Sequence, residues 1–248
     1  MNSFPGRWLL PLYTSLLLLA VPVHLNAQMF SVEERSPYDR EVYRSSLGLG
    51  WEIGDFSYRG DPQAAGNDRY DFTMGILRMH FENPGVNMYF GIAGKLTGSD
   101  NQNYLNLGVV LYNDFMLTRP SSPDRPHLFV PLQLNTDLMR TNQELSSREF
   151  QQTTFQLGTG LGLNNRFHER LRATFRLVPG IGFTNSQGAF IGGSIYSVEG
   201  KARFHIVNLL GNRSLLVGYD YRFRRYNIDL EIFNYDLASH TISIGFAL

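Results

Sequence analysis

The feature that most restricts this chain is the spacing of its apolar residues. Beyond residue 42 they recur at every second position, the period of a strand, with no 3.6-residue helical stripe. Tyr43, Leu47, Leu49, Trp51 and Ile53 share one face, and Arg44, Ser46, Gly48, Gly50 and Glu52 share the other. The same alternation starts again near residues 86, 105, 128, 155, 171, 198, 215 and 242. Residues 69–81 make a tenth segment whose phase slips. Tyr70, Phe72, Met74 and Ile76 begin it on one parity, while Leu77, Met79 and Phe81 finish it on the other. A β-bulge would account for the slip.

Such alternation suits either a soluble sandwich or barrel with an apolar core, or a membrane barrel turned inside out. The segments run to about 9–11 residues, enough for a tilted strand to cross a bilayer. Their polar faces are rich in Gly, Thr, Asn and Gln and also carry Arg and Glu, as a packed polar interior would. The N-terminus reads as an export signal. Arg7 precedes the apolar run from Trp8 to Val23, and Leu25-Asn26-Ala27 offers a cleavage point. The longest uninterrupted apolar stretch there, Leu16 to Val23, is 8 residues, too short to span as a helix. A mean hydropathy of −0.20 also excludes a polytopic helical membrane protein. The expected fold is therefore a closed antiparallel transmembrane β-barrel of about ten strands, with eight or twelve also compatible. Its expected organisation is a cleaved signal peptide at 1–27, a periplasmic lead-in at 28–41 and the barrel at 42–248.

On these residues the chain resembles a small outer-membrane β-barrel protein of Gram-negative bacteria. Its last segment, Thr241 to Leu248, resembles the C-terminal signal read by the barrel-assembly machinery, with Phe246 and Leu248 as its terminal hydrophobic residues. It ends on Leu where that signal usually carries Phe. The resemblance implies assembly into the bacterial outer membrane, with lipopolysaccharide and other outer-membrane lipids as contacts. Outer loops are expected near 54–69, 97–103, 139–151, 184–195 and 225–238. Periplasmic turns are expected at 82–85, 113–127, 164–170 and 207–214. Trp51, Tyr219, Tyr221 and Phe223 would form an aromatic girdle near the outer interface. A monomer is expected.

The candidate site is the polar face of the seventh to ninth segments. Arg172, Arg176, Glu199, Lys201, Arg203, His205, Asp220, Arg222 and Arg224 should point inward, with Gly158, Gly160, Gly162, Gly180 and Gly182 making room for them. Such charges suit a salt-bridge network that plugs the barrel, because an isolated charge in a confined interior is costly. Alternatively, Arg172, Arg176, Arg203, Arg222 and Arg224 line a small anion-preferring channel.

A lipid- or peptide-hydrolysing barrel is the third reading. The paired Asp-rich and Asp-His motifs of omptin proteases are absent. Ser239-His240, the one adjacent Ser/His pair, lacks the spacing of the lipid A deacylases. No enzyme activity is expected, and no cofactor. The six histidines show no metal-ligand spacing, and zero cysteines remove thiol catalysis and Cys-ligated zinc. Acidic loop residues Asp55, Asp61, Asp68, Asp100 and Glu144 could bind divalent cations or simply solvate their loops. The charge balance, 22 basic against 22 acidic residues, excludes a nucleic-acid reader relying on excess basic charge.

Overall fold

The computed structural model describes residues 45–60, 71–99, 102–118, 125–143, 149–186, 192–210, 213–228 and 234–247. The expected signal peptide and lead-in lie outside these residues, as do Tyr43, Arg44, Tyr70 and Leu248. Five strands make the first half: β1 (Ser46–Tyr58), β2 (Phe72–Asn83), β3 (Val86–Ala93), β4 (Gln102–Met116) and β5 (His127–Gln143). β6 has two segments, Glu149–Thr159 and Leu161–His168. β7 (Leu171–Ser186), β8 (Gly193–Leu210), β9 (Arg213–Ile228) and β10 (Tyr235–Ala247) follow.

Each strand pairs antiparallel with the one before it. β10 returns to β1 in register from Ser46↔Ala247 to Tyr58↔Tyr235, so among the described residues the sheet is a closed ten-stranded barrel.

The interruption in β6 has a local cause. Leu132 pairs with Thr159 and Phe129 with Gly162 on one side, while Gly158 pairs with Gly180 and Leu161 with Leu177 on the other. The register therefore runs unbroken through Gly160, and the two segments are one strand. In that register Gly160 lies opposite Pro131 and Thr159 opposite Pro179, and neither proline has an N–H for the ladder. A Cβ on Gly160 would sit 1.9 Å from the Leu177 carbonyl oxygen, so only glycine fits there.

Burial follows the expected parity. β1 alternates strictly between buried and exposed residues from Ser46 to Ser57, with Leu47, Leu49, Trp51 and Ile53 outward. Ile242 is 67% exposed and Leu177 57%. A continuous belt of bare Leu, Ile and Phe around a closed barrel with a polar interior is the surface of a protein dissolved in lipid. The fold is an outer-membrane-type β-barrel. Its two ends are distinguished by their connections. Two-residue turns at 84–85 and 169–170 lie at the end where β1 begins and β10 finishes, and β8 and β9 are joined there by only two residues. Every connection at the other end spans five residues or more. Short turns mark the periplasmic side.

Three expectations need correction. The phase slip in 69–81 is not a bulge: β1 and β2 keep one register from Ser46↔Glu82 to Phe56↔Phe72. Met74 and Ile76 point inward, and Leu77 and Met79 point outward. It is the chemistry of the lumen that changes along β2. Second, several strands run well beyond 11 residues, up to 18 in β8, so parts of every outer loop expected from sequence are strand. The long periplasmic connection likewise shrinks from 113–127 to 117–126. Third, the segment starting near 86 does not run up to the loop expected at 97: β3 ends at Ala93, and Lys95 and Leu96 do not continue it. They lie in a 3-10 turn, Lys95–Thr97, closed by Gly98 in the left-handed region (φ 79°), and Leu96 is 89% exposed.

Candidate functional site

Two layers fill the lumen, one apolar and one ionic. Toward the outer end most inward positions are apolar, although Thr141, Gln152 and Thr184 are also buried there. Phe56, Met74, Ile76, Tyr104, Met139, Ile195, Tyr226, Tyr235 and Leu237 form one buried cluster. The Phe56 ring stacks on Phe72 (centroids 4.7 Å apart) and Tyr235 (5.6 Å), and Tyr226 stacks on Tyr235 at 4.4 Å. Tyr235 also donates its hydroxyl hydrogen to Gln152. An alternation-based reading places polar residues throughout the interior and misses this layer.

Below it lies the ionic layer. Arg78 pairs with Glu52 across β1 and β2, and Arg224 of β9 pairs with Asp137 of β5. All four side chains are buried. Asp137 also accepts from Thr154 at 2.6 Å and from the Tyr89 hydroxyl at 3.0 Å. Arg78 and Arg222 each place their guanidinium over the Tyr89 ring, 4.7 and 4.8 Å from its centroid. Glu199 lies within 4 Å of Arg222, Arg224 and Lys201 and accepts from Gln133 and Asn135. Such pairing is what makes a buried charge tolerable.

Toward the periplasm, Arg203 is clamped by Glu82 at 2.7 Å and Asp220 at 2.5 Å. Arg176 pairs with Asp114 at 2.7 Å and lies over the Tyr112 and Phe129 rings at 4.5 and 5.3 Å.

All nine expected lumen charges therefore lie on inward-facing positions of β7, β8 and β9. They do not form a basic face. Arg176, Arg203, Arg222 and Arg224 each meet a carboxylate, most from the far side of the barrel. Arg172 is half-buried, and His205 is buried beside Arg203 in the lining of the periplasmic pocket.

Glu52, Arg78, Glu82, Tyr89, Asp114 and Asp137 were missed as partners, for identifiable reasons. Glu82 and Asp114 fell in segments assigned to turns, and Arg78 lay in the segment of uncertain phase. Glu52 and Asp137 stood on the polar parity, but parity names no partner. The lumen glycines also do something other than expected. Gly162 makes room for the Phe129 ring and Gly108 for the Tyr89 ring, where a Cβ would sit 2.0 and 2.1 Å from ring carbons.

Trp51, Tyr219, Tyr221 and Phe223 all project outward. Tyr219 bonds His240 Nδ1 at 2.8 Å. Ser239 is buried inside while His240 faces out, so this pair cannot act on one substrate atom. Phe246 faces outward near the periplasmic end. Asp55 accepts from Thr73 at 2.8 Å, whereas Asp61, Asp68, Asp100 and Glu144 lie outside the described residues. Among the described residues no three His, Asp or Glu side chains gather as a metal site.

No family model and no curated protein matches the sequence. Among solved structures the chain is similar to the outer-membrane enzyme PagL, at 11% identity over 80% of this chain and 97% of that one, with a TM-score of 0.32. It is similar to the outer-membrane protease OmpT from Escherichia coli at 11% identity over 82% and 94%, with a TM-score of 0.38. For the attachment invasion locus protein Ail of Yersinia pestis the values are 8%, 83%, 98% and 0.29. At this level of likeness these proteins bear on neither the activity nor the site.

Proposed function

We propose that this protein is a closed outer-membrane barrel whose lumen is a structural plug. Its role lies in what its outer loops present to lipopolysaccharide, a ligand or a partner. It acts as a monomer and without catalytic turnover. One observation carries this reading: among the described residues a largely apolar aromatic layer lies over a layer of buried, mutually compensated ion pairs. A channel for anions needs cations whose field reaches the permeating ion, and here the field of each paired arginine is spent on a neighbouring carboxylate. Opposed placement of Ser239 and His240 supports a non-enzymatic role.

The test is electrical. The protein, purified from outer membranes in detergent and shown to be folded by its heat-dependent gel shift, is inserted into planar bilayers. Silence is the expected result. Steady anion-selective openings, abolished by Arg222→Glu without loss of the folded band, would establish the channel instead.

A further inference from the structure

At its outer end β3 stops short of β2. The two strands pair only from Leu77↔Ile92 to Asn83↔Val86, whereas β2 continues beyond Ile76 in register with β1. Thr73–Ile76 therefore have a strand on the β1 side alone. At the outer end no other strand among the described residues has so long a one-sided stretch.

This stretch stands in water. The outward residues at its level, Asp55 and Thr73, are polar, and the apolar row of β1 ends one step below at Ile53. Inside hydrocarbon a bare edge would not persist. Every second residue of an antiparallel strand turns its N–H and C=O to a given side, so two of these four residues direct theirs to where β3 is missing. The 3-10 turn Lys95–Thr97 lies against β2 but is satisfied within itself. Thr97 N and Ser99 N donate to Gly94 O at 2.9 and 3.0 Å, Gly98 N to Lys95 O at 3.3 Å, and Gly94 N to Thr97 Oγ1 at 3.1 Å. None of these bonds reaches the backbone of Thr73–Ile76, and Thr73 commits only its hydroxyl, to Asp55 at 2.8 Å.

We propose that this edge is a docking site for an extended peptide segment of a partner protein outside the cell, added to β2 as a strand that continues the line of β3 above Ala93. The site is part of the barrel wall and does not depend on the role of the outer loops. A row of alternating backbone donors and acceptors is matched by another backbone. Exposed edges are ordinarily blunted by lysine, proline or a bulge, and Thr73-Met74-Gly75-Ile76 carries none of these. Inward side chains of the added strand would face the apolar cluster that holds Met74, Ile76, Ala93 and Tyr104. The fully exposed side chain of Leu96 lies in the turn beside it. The fitting segment is thus uncharged, apolar at alternate positions, and at least four residues long, roughly 13 Å. A second copy fits poorly. Strands in such barrels tilt by about 35–45°, so two upright copies related by a two-fold along the membrane normal would cross their β2 edges at roughly 70–90° and form no ladder.

The probe is an eight-residue peptide of alternating threonine and valine. It is titrated into the folded, isotopically labelled full chain in detergent and followed by amide NMR. In the free protein, alternate amides of Thr73–Ile76 are expected to exchange fast. The peptide should slow them about tenfold or more and shift them saturably, together with the Gly94–Gly98 turn. The same peptide with all its backbone nitrogens methylated keeps its side chains but cannot donate; it should bind about tenfold more weakly or worse. Absence of saturable shifts would overturn the proposal, as would equal binding of the methylated peptide or shifts confined to other strands. Full protection of all four amides at every dilution would show that the chain covers its own edge, and protection that grows with protein concentration would assign the edge to a second copy. Either result also overturns the site.

Discussion

At the scale of single residues the pair Arg224–Asp137 shows why the lumen is built as it is. Both side chains are essentially inaccessible, and 87 positions separate them in the chain. Removing one partner strands a charge that lipid and lumen cannot solvate. Asp137→Ala should therefore cost about 3–5 kcal/mol. The double change Arg224→Met with Asp137→Leu should recover most of that loss, because two apolar side chains need no mutual compensation. Tyr89→Phe, which deletes only the hydroxyl bonded to Asp137, should cost about 1 kcal/mol. Urea unfolding midpoints in a fixed detergent would rank the three. An Asp137→Ala midpoint equal to the native one would refute the structural role of the pair. Asp137 could be placed inside from sequence because its neighbours Leu134 and Leu138 face out. Arg224 as its partner could not, since the contact exists only once the barrel has closed.

Whole strands carry a second kind of information, and here β2 and β6 are instructive. The apparent slip in β2 is a change in what the interior is made of, so its parity is directly testable. The chain has no native cysteine, and single substitutions report cleanly. Leu77→Cys should react with a lipid-soluble maleimide in the folded barrel, and Ile76→Cys should resist it. Reaction at both positions would restore the bulge, which turns both apolar sets outward. In β6, continuity through Gly160 depends on the absence of a side chain. Gly160→Ala should destabilise by about 1–3 kcal/mol, since the added methyl meets rigid backbone. Gly200→Ala, whose Cβ would meet only Tyr221 Cβ at 3.8 Å, should be nearly neutral in the same unfolding assay. Equal effects at the two positions would show that Gly160 is not a close-approach site. Strand existence, and facing outside β2, could be read from the residues. Strand ends could not, because alternation fades in the polar stretches outside the apolar belt while the ladder of hydrogen bonds continues through them.

For the whole molecule the question is how the lumen closes. The aromatic layer and the ionic layer are separate barriers of different chemistry. Phe56→Ala, Tyr104→Ala and Tyr235→Ala together should open the outer barrier while leaving the buried pairs in place. Transient conductance steps are then expected in planar bilayers where the native protein stays silent. Continued silence in a folded triple variant would assign closure to the ion pairs alone.

Inside and outside were decided by the sequence wherever the interior is polar, because facing in a strand alternates residue by residue; in β2, where inward Met74 and Ile76 are apolar, the pattern alone misled. The strand total was bounded but not decided: the apolar runs give about ten with eight or twelve compatible, and pairing of β10 with β1 settles ten. What the tertiary structure alone decided is which charges meet. Closure of β10 on β1 and the stagger of ten strands bring Asp137 to Arg224 and Glu82 to Arg203 across the lumen. They turn a face that reads as basic along three strands into a compensated plug. Pairing across a lumen is set by register summed around the whole ring, and no local pattern encodes that sum.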